Sequence, residues 1–348
     1  LEMEFTSLRN AFQFFTSRRQ RESENLTLLR QTIETHRPDA ILIWGMWNFP
    51  RSLPALAEEL LPGRVAYYIG DYWLTLPSQF ENYWNAPARN PLTGLPKLLL
   101  KPLAQQILAR EPRPALQVEH ALFPSTFMRE ELRRKGVSPK NAKIIYGAID
   151  TQPYLGQRAE RQGETVSLLY VGRVTHEKGV HTAVEAVARL VHEHGLKNLK
   201  LTVVGDGDAD YVSRLHQLVE EKNLASFVDF LPAQPKETLP ALYHRSDILL
   251  FTSIWAEPFG RVIVEAMASG VVVVGTAVGG AAEILVDGEN ALTFTADDPA
   301  SLASQLKRLI DSPALRERLA ESARRTAADK FDLRRMTAEI ESYLQSIT

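Results

Sequence analysis

From residue 165 onward the chain alternates short apolar, β-rich runs with stretches of helical periodicity, and few folds accommodate that alternation. The runs fall at 166–171, 199–204, 227–230, 247–251, 271–274 and 291–294. Between them, apolar residues recur at helical spacing from Val180 to Leu190, Tyr211 to Val219 and Val262 to Ala268. A strand without polar alternation is covered on both faces, which is the condition of a parallel sheet. Six such strands with crossover helices predict a doubly wound α/β domain.

The 348 residues, 45% of them hydrophobic, suffice for two domains. In the first half, strands are expected near 40–44, 64–69, 119–124 and 143–146, and helices near 24–36, 51–60 and 125–135. The opening 38 residues read as polar and helical. The stretch 151–164 has Gly156, Gly163 and many polar side chains, and reads as a linker. This divides the chain into a first domain over 1–150, the linker, a second domain over 165–330, and a terminal segment over 331–348 with an amphipathic helix from Leu333 to Ile347.

Two segments of the second half carry chemistry. In Tyr170-Val-Gly172-Arg173-Val-Thr-His-Glu-Lys178-Gly179 a strand ends at a glycine, and Arg and Lys follow five apart on a loop leading into a helix. Two cations beside a helix N-terminus suit a pyrophosphate. Read alone, such a pair is more often a pair of surface cations. In Glu257-Pro-Phe259-Gly260-Arg261-Val-Ile-Val-Glu265 two carboxylates stand eight positions apart across a strand-to-helix turn. The unpaired N–H groups of Phe259, Gly260 and Arg261 would crown that helix and face negative oxygen atoms. Taken singly, Glu257 is an N-terminal carboxylate and Glu265 a solvated face residue.

Together these segments resemble the retaining glycosyltransferases of the two-domain GT-B fold, and among them glycosyltransferase family 4. The resemblance is strong over about 165–300, weaker over 38–150, and absent before that. It implies two Rossmann-like domains facing a cleft, and a final helix that crosses back to the first. It also implies transfer of a sugar from a nucleotide-diphosphate sugar with retained anomeric configuration. Arg173 and Lys178 would then grip the donor diphosphate beside Gly172. Glu257 would bond hydroxyls of the donor sugar, and Glu265 the ribose. Gly279 and Gly280, in Val278-Gly-Gly-Ala-Ala-Glu283, would bring bare backbone near the donor, although a simple helix start explains them nearly as well. Leu231, in Phe230-Leu-Pro232, would lie against the base.

On the acceptor side, Tyr67-Tyr-Ile-Gly70-Asp71-Tyr-Trp73 resembles a segment in which relatives carry His-Asp, so Asp71 and Trp73 are candidate acceptor contacts. Gly70 stands where the sugar-touching histidine would be. The glycine-rich loop that follows the first strand in relatives is not found before residue 40, so the first domain is expected to be incomplete or the chain a fragment. Ser125, in His120-Ala-Leu-Phe-Pro-Ser125, is expected to cap a helix.

Other readings are weaker. Val204-Gly-Asp206-Gly-Asp208-Ala-Asp210 imitates three sites but fits none. Asp210 replaces the third glycine of a dinucleotide loop, and Tyr211 the glycine of a calcium loop. A D-x-D metal motif is out of place in a doubly wound domain. A turn with Asp208 or Asp210 at a helix start is preferred. No metal or further cofactor is expected, since Arg173, Lys178 and helix N-termini supply the positive charge. Leu95-Pro-Lys-Leu-Leu-Leu-Lys-Pro-Leu103 reads as a core helix ahead of a membrane-interface segment.

The overall charge of −2 argues against a nucleic-acid binder. Residues 1–150 hold 19 Lys and Arg against 15 Asp and Glu, and the remainder 21 against 27. A mildly basic first half tolerates an anionic partner. The acceptor is open between a glycan, a lipid-linked molecule and a small molecule. Cysteine is absent, and no run approaches the roughly 20 apolar residues of a bilayer span. A cytoplasmic protein is expected, with association at the inner membrane face as an option. Two alternatives stay open: a GT-B epimerase, which needs no acceptor, and a non-catalytic nucleotide-sugar binder.

Overall fold

The computed structural model describes residues 8–47, 49–87, 91–111, 113–156 and 165–348. The chain forms two compact units. One comprises Leu1–Phe123, Arg129–Ile144 and Ile340–Thr348, the other Pro124–Met128 and Ile145–Glu339.

The first unit is built on β1 (Ile41–Trp44), β2 (Val65–Tyr68), β3 (His120–Phe123) and β4 (Asn141–Ile144). All pair in parallel, in the order β1-β2-β3-β4 that follows the chain. β2 and β3 are buried along their whole length, as expected of central strands under helices on both faces. Two helices, α1 (Leu8–Phe15) and α2 (Arg18–His36), precede the sheet. α3 (Ser52–Leu60) joins β1 to β2, and α4 (Gln79–Asn85) and α5 (Pro91–Arg110) lie between β2 and β3. α4 starts at a capping box. The Ser78 hydroxyl accepts from Glu81 N–H, and the Glu81 carboxylate accepts from Ser78 N–H at 2.6 Å. α6 (Thr126–Arg134) joins β3 to β4.

The core-helix expectation for Leu95–Leu103 is corrected by α5. Leu98 and Leu99 are 67% and 70% exposed, and Leu95, Leu100 and Leu103 are exposed as well. Leucines at 95, 98, 99 and 103 share one face, and the helix turns Ala104 inward instead. β4 lies two residues earlier than the expected 143–146.

The second unit holds β5 (Val166–Val171), α7 (Val180–His192), β6 (Leu199–Val204), α8 (Ala209–Glu221), β7 (Val228–Leu231), α9 (Leu239–His244), β8 (Ile248–Phe251), α10 (Arg261–Ala268), β9 (Val272–Thr276), β10 (Ala291–Phe294), α11 (Pro299–Asp311), α12 (Pro313–Lys330) and α13 (Leu333–Gln345). Of α13 only the part up to Glu339 belongs to this unit, since Ile340–Thr348 clusters with the first. All six expected strands are present within two residues. The sheet is wholly parallel in the order β10-β9-β8-β5-β6-β7. The chain therefore winds one way from β5 to β7, and the other way from β8 to β10. Helices cover both faces. Val180, Val184 and Val187 of α7 enter one core, and Ile263, Val264 and Met267 of α10 enter the other.

Of the expected linker, 157–164 lies outside the described residues. The part before it is packed. Tyr154 is buried with its ring 5.8 Å from Tyr243, and its carbonyl is 3.0 Å from His244 Nε2. A polar, glycine-containing stretch hid one anchoring aromatic.

Candidate functional site

The winding of the second sheet reverses between β5 and β8, and there the two strands part. β5 pairs with β6 over six positions but with β8 only at Leu168 and Leu169. Beyond those residues the carboxyl ends diverge, and β8 continues beside β9. A parallel sheet opens a crevice at such a reversal, between loops leaving its strands' carboxyl ends. The loops here are Gly172–Gly179 after β5 and Thr252–Gly260 after β8, the two segments singled out in the sequence.

The first loop is held from below. Tyr170 is buried, and its hydroxyl donates to Arg173 O at 2.7 Å. Burial raises its pKa well above that of a free phenol, and the nearby Glu257 charge adds to the rise. From the side, Gly205 lies so close that a Cβ would stand 1.8 Å from Gly172 O, and one on Gly207 1.9 Å from Val174 O. Val174 N–H donates to Asp206 O and Asp208 N–H to Val174 O. The Gly-Asp-Gly motif is thus a brace for the Arg173 loop. Asp208 caps α8 by accepting from Tyr211 N–H at 2.9 Å, and Asp206 accepts from Ala233 N–H at 3.1 Å. Gly179 ends the loop with φ at 66°, and a Cβ there would stand 2.2 Å from Thr252 O, so both conformation and space require glycine.

The two loops meet in an ion pair. Lys178 Nζ lies 2.8 Å from Glu257 Oε1, with side chains 13% and 18% exposed. The same ammonium stands 5.3 Å from the centroid of the Trp255 ring. Arg173 is exposed, and its guanidinium has no carboxylate partner among the described residues.

Gly260 opens α10, and the N–H groups of Phe259, Gly260 and Arg261 have no acceptor among the described residues. The Phe259 side chain is buried 5.6 Å from the Phe331 ring, so only its backbone is on offer. Glu265 is 5% exposed, not a solvated face residue. Its Oε2 accepts from the Tyr243 hydroxyl at 2.9 Å, and the Tyr154 hydroxyl also bonds it. Burial and this carboxylate raise both phenol pKa values.

Gly279 and Gly280 support this loop directly. Gly280 N–H donates to Glu257 O at 2.7 Å, and a Cβ on Gly280 would stand 2.2 Å from Pro258 O. Ser125 meets the same carbonyl, donating to Pro258 O at 2.6 Å while accepting from Met128 N–H as the expected cap. Glu283 accepts from Thr126 and Phe127 N–H at 2.9 and 2.8 Å, a role that nothing in the sequence marked. Leu231, at the end of β7, is 37% exposed, and its carbonyl accepts from Gly205 N–H. That carbonyl is spent within the loops, and the side chain faces outward. Asp71 and Trp73 belong to the first unit, where the Asp71 carboxylate accepts from Trp73 N–H at 3.0 Å.

Residues 156–326 match the family of glycosyl transferases group 1. The match spans the whole crevice described above. Glycogen synthase of Mycobacterium tuberculosis is 30% identical over 249 residues, 70% of this chain and 58% of that protein. The chain thus spans under three-fifths of that relative. D-inositol 3-phosphate glycosyltransferase of Corynebacterium aurimucosum is 27% identical over 299 residues, 80% of this chain and 69% of that protein. Among solved structures, HepE of Anabaena, determined in complex with UDP, superposes with a TM-score of 0.68 at 23% identity over 92% of this chain and 82% of that one. The fold is GT-B.

Proposed function

We propose that the chain is a glycosyltransferase that moves a sugar from a nucleotide-diphosphate sugar to an acceptor hydroxyl, with retained anomeric configuration. The observation that carries the reading is the Lys178–Glu257 pair between the β5 and β8 loops. It sets a cation for phosphate oxygens beside a carboxylate for sugar hydroxyls at the reversal of the sheet. Departure of the nucleoside diphosphate concentrates negative charge on the β-phosphate. Arg173, Lys178 and the N–H groups of Phe259, Gly260 and Arg261 stabilise that charge, so the step needs no metal or cofactor. Glu257 orients the sugar through charge-assisted hydrogen bonds, and Glu265, held by its two tyrosines, receives the ribose hydroxyls. Gly172, Gly279 and Gly280 admit the donor close to the backbone, and Leu231 flanks the base.

The anomeric carbon–oxygen bond breaks as the acceptor oxygen bonds that carbon on the same face. The acceptor's proton passes to a leaving phosphate oxygen. Asp71 and Trp73 serve the acceptor side. Among the described residues no helix is long and apolar enough to cross a membrane. The exposed leucines of α5, flanked by Lys97 and Lys101, give the chain a surface for peripheral contact with an anionic bilayer.

UDP, GDP and ADP tested by thermal shift identify the base, with UDP first because HepE was solved with it. Arg173→Ala and Glu257→Ala should each lower donor-dependent transfer by about 100-fold or more. Unchanged turnover in both variants would refute the assignment. Sugar release to water alone, with no gain from any acceptor, would point to an epimerase or hydrolase instead.

A further inference from the structure

Lys178 ends a loop whose far side is fixed by a histidine outside the donor crevice. α7 follows at Val180, and its N-cap, Gly179, has no side chain to receive the first N–H groups of the helix. Tyr211, buried in the first turn of α8, supplies the missing acceptor. Its phenol oxygen accepts from His181 N–H at 3.1 Å, and from Val180 N–H as well. Gly179 O accepts from Thr182 N–H at 3.0 Å, and Lys178 O from the Thr252 hydroxyl at 2.8 Å. The first turn of α7 and the Lys178 loop are therefore braced as one piece.

The same hydroxyl fixes the protonation of His181. Nδ1 of that ring lies 2.7 Å from the phenol oxygen, and Nε2 lies 2.8 Å from Asp297 Oδ1. A phenol oxygen has two acceptor positions, and the two backbone N–H groups fill them, so its own proton points to Nδ1. Nδ1 is then an acceptor, and the ring proton sits on Nε2 and is donated to Asp297. Asp297 presents its carboxylate from a turn with φ at 59°, a left-handed value that aspartate tolerates.

Each element packed around the ring brings charge. The turn before α11 holds Asp297, which is mostly exposed, and Asp298, which is spent on the N–H groups of Ala300 and Ser301. α8 holds Arg214, 5.9 Å from the Tyr211 ring centroid. The turn ahead of α7 holds Glu177, bonded by Thr175, and His176, whose ring stacks on His181 with centroids 5.0 Å apart. Glu185 follows one turn along α7 itself.

We propose that neutral His181 is a positioning residue for the donor loop, and that its protonation breaks the Tyr211 bond and loosens the first turn of α7 beside Lys178. A proton on Nδ1 meets the phenol hydrogen, and the hydroxyl can turn away only by giving up a backbone N–H. An exposed carboxylate such as Asp297 gives the imidazolium little in return, and a charge on stacked His176 repels it. Acid thus removes a helix cap from the loop that carries Lys178 without altering Lys178 itself. That this loop belongs to a donor site rests on the transferase reading; the switch does not.

Long-range proton–nitrogen spectra of the full chain read the His181 ring, with His181→Asn assigning its signals. An Nε2–H ring is expected at about pH 8, above the range in which histidines commonly gain charge. A proton on Nδ1 there overturns the proposal. Exchange of the Val180 and His181 amides, each divided by its intrinsic rate, should quicken by about fivefold in the parent between about pH 8 and 5.5. It should stay level in His181→Asn, whose Oδ1 accepts from the phenol without titrating, and be fast at both pH values in Tyr211→Phe. Titration with UDP, or with GDP or ADP where one of these binds instead, reads the consequence. Over the same interval the parent should lose about threefold to fivefold more affinity than His181→Asn, a comparison that cancels protonation of the nucleotide's own terminal phosphate. Parallel pH profiles of parent and His181→Asn, in exchange or in nucleotide affinity, overturn the proposal. If no nucleoside diphosphate binds the parent, the donor reading falls, and the ring spectrum and the exchange rates still decide the switch.

Discussion

Lys178 and Glu257 provide the most searching test of the second unit, because the pair is half way between two known regimes. Fully exposed ion pairs contribute about 0–1 kcal/mol, whereas removing one partner of a buried pair costs about 3–5 kcal/mol. With side chains 13% and 18% exposed and a separation of 2.8 Å, this pair falls between them. Lys178→Met leaves the Glu257 carboxylate without its countercharge and removes the cation from the Trp255 face. A loss of about 2 kcal/mol is expected. Glu257→Gln should cost less, about 1 kcal/mol, because the ammonium keeps the ring and reaches water on its long stem.

The double variant should recover about 1–2 kcal/mol of the summed loss, since each change removes the same interaction. Urea unfolding monitored by tryptophan fluorescence reads this out. With a slope of about 2 kcal/mol/M, Lys178→Met should move the midpoint by about 1 M. Salt should change the coupling little, because a mostly buried pair is poorly screened. A coupling within about 0.5 kcal/mol of zero would show that the two loops do not meet as described, and would remove the support for a combined phosphate and sugar site.

Other perturbations reach different parts of the structure. Gly280→Ala puts a methyl 2.2 Å from Pro258 O, so urea unfolding should show a loss of about 1–3 kcal/mol and titration a fall in UDP affinity. Tyr243→Phe deprives the buried Glu265 of a donor and should cost about 1–3 kcal/mol near neutral pH. The pH dependence has a definite sign. Folding raises the pKa of Tyr170, Tyr154 and Tyr243, so their contribution is intact below about pH 10, the pKa of a free phenol, and is lost as pH rises above it. Alkaline unfolding followed by circular dichroism should therefore be shallower for Tyr243→Phe than for the parent chain. Leu98→Glu with Leu99→Glu should leave stability within about 0.5 kcal/mol, because both leucines are exposed. On the bilayer reading the same pair lowers co-sedimentation with anionic vesicles, and unchanged binding would discard that reading.

Local pattern determined a large part of this molecule. Apolar runs such as Ile248–Phe251 and 271–274 are best satisfied between two helical layers, so the six parallel strands of the second unit were legible from the pattern of runs. Ser125 and Asp208 were legible as caps for a similar reason, since a hydroxyl or carboxylate before a helix has one obvious use. α5 was misread because leucine density does not say where the neighbours are. Its leucine face points outward, which the spacing of apolar residues alone cannot decide.

The chemistry of the crevice depended on contacts between residues far apart in the chain. Lys178 and Glu257 are separated by 79 positions, and only the reversal of strand order between β5 and β8 makes their loops neighbours. The glycines of the Gly-Asp-Gly turn and of the Gly279-Gly280 pair look alike in sequence to ligand-facing glycines. Tertiary packing gives them a task that the sequence did not mark, because a bare backbone is what lets one loop lie against the next. The burial of Glu265 under two tyrosines, and the bonding of His181 to Tyr211 and Asp297, likewise have no local signature. Backbone pairing and helix periodicity act over a few residues and are written in short range. Which side chains share a crevice is set by strand order and loop packing, so the fold of this chain could be read along it and its site only across it.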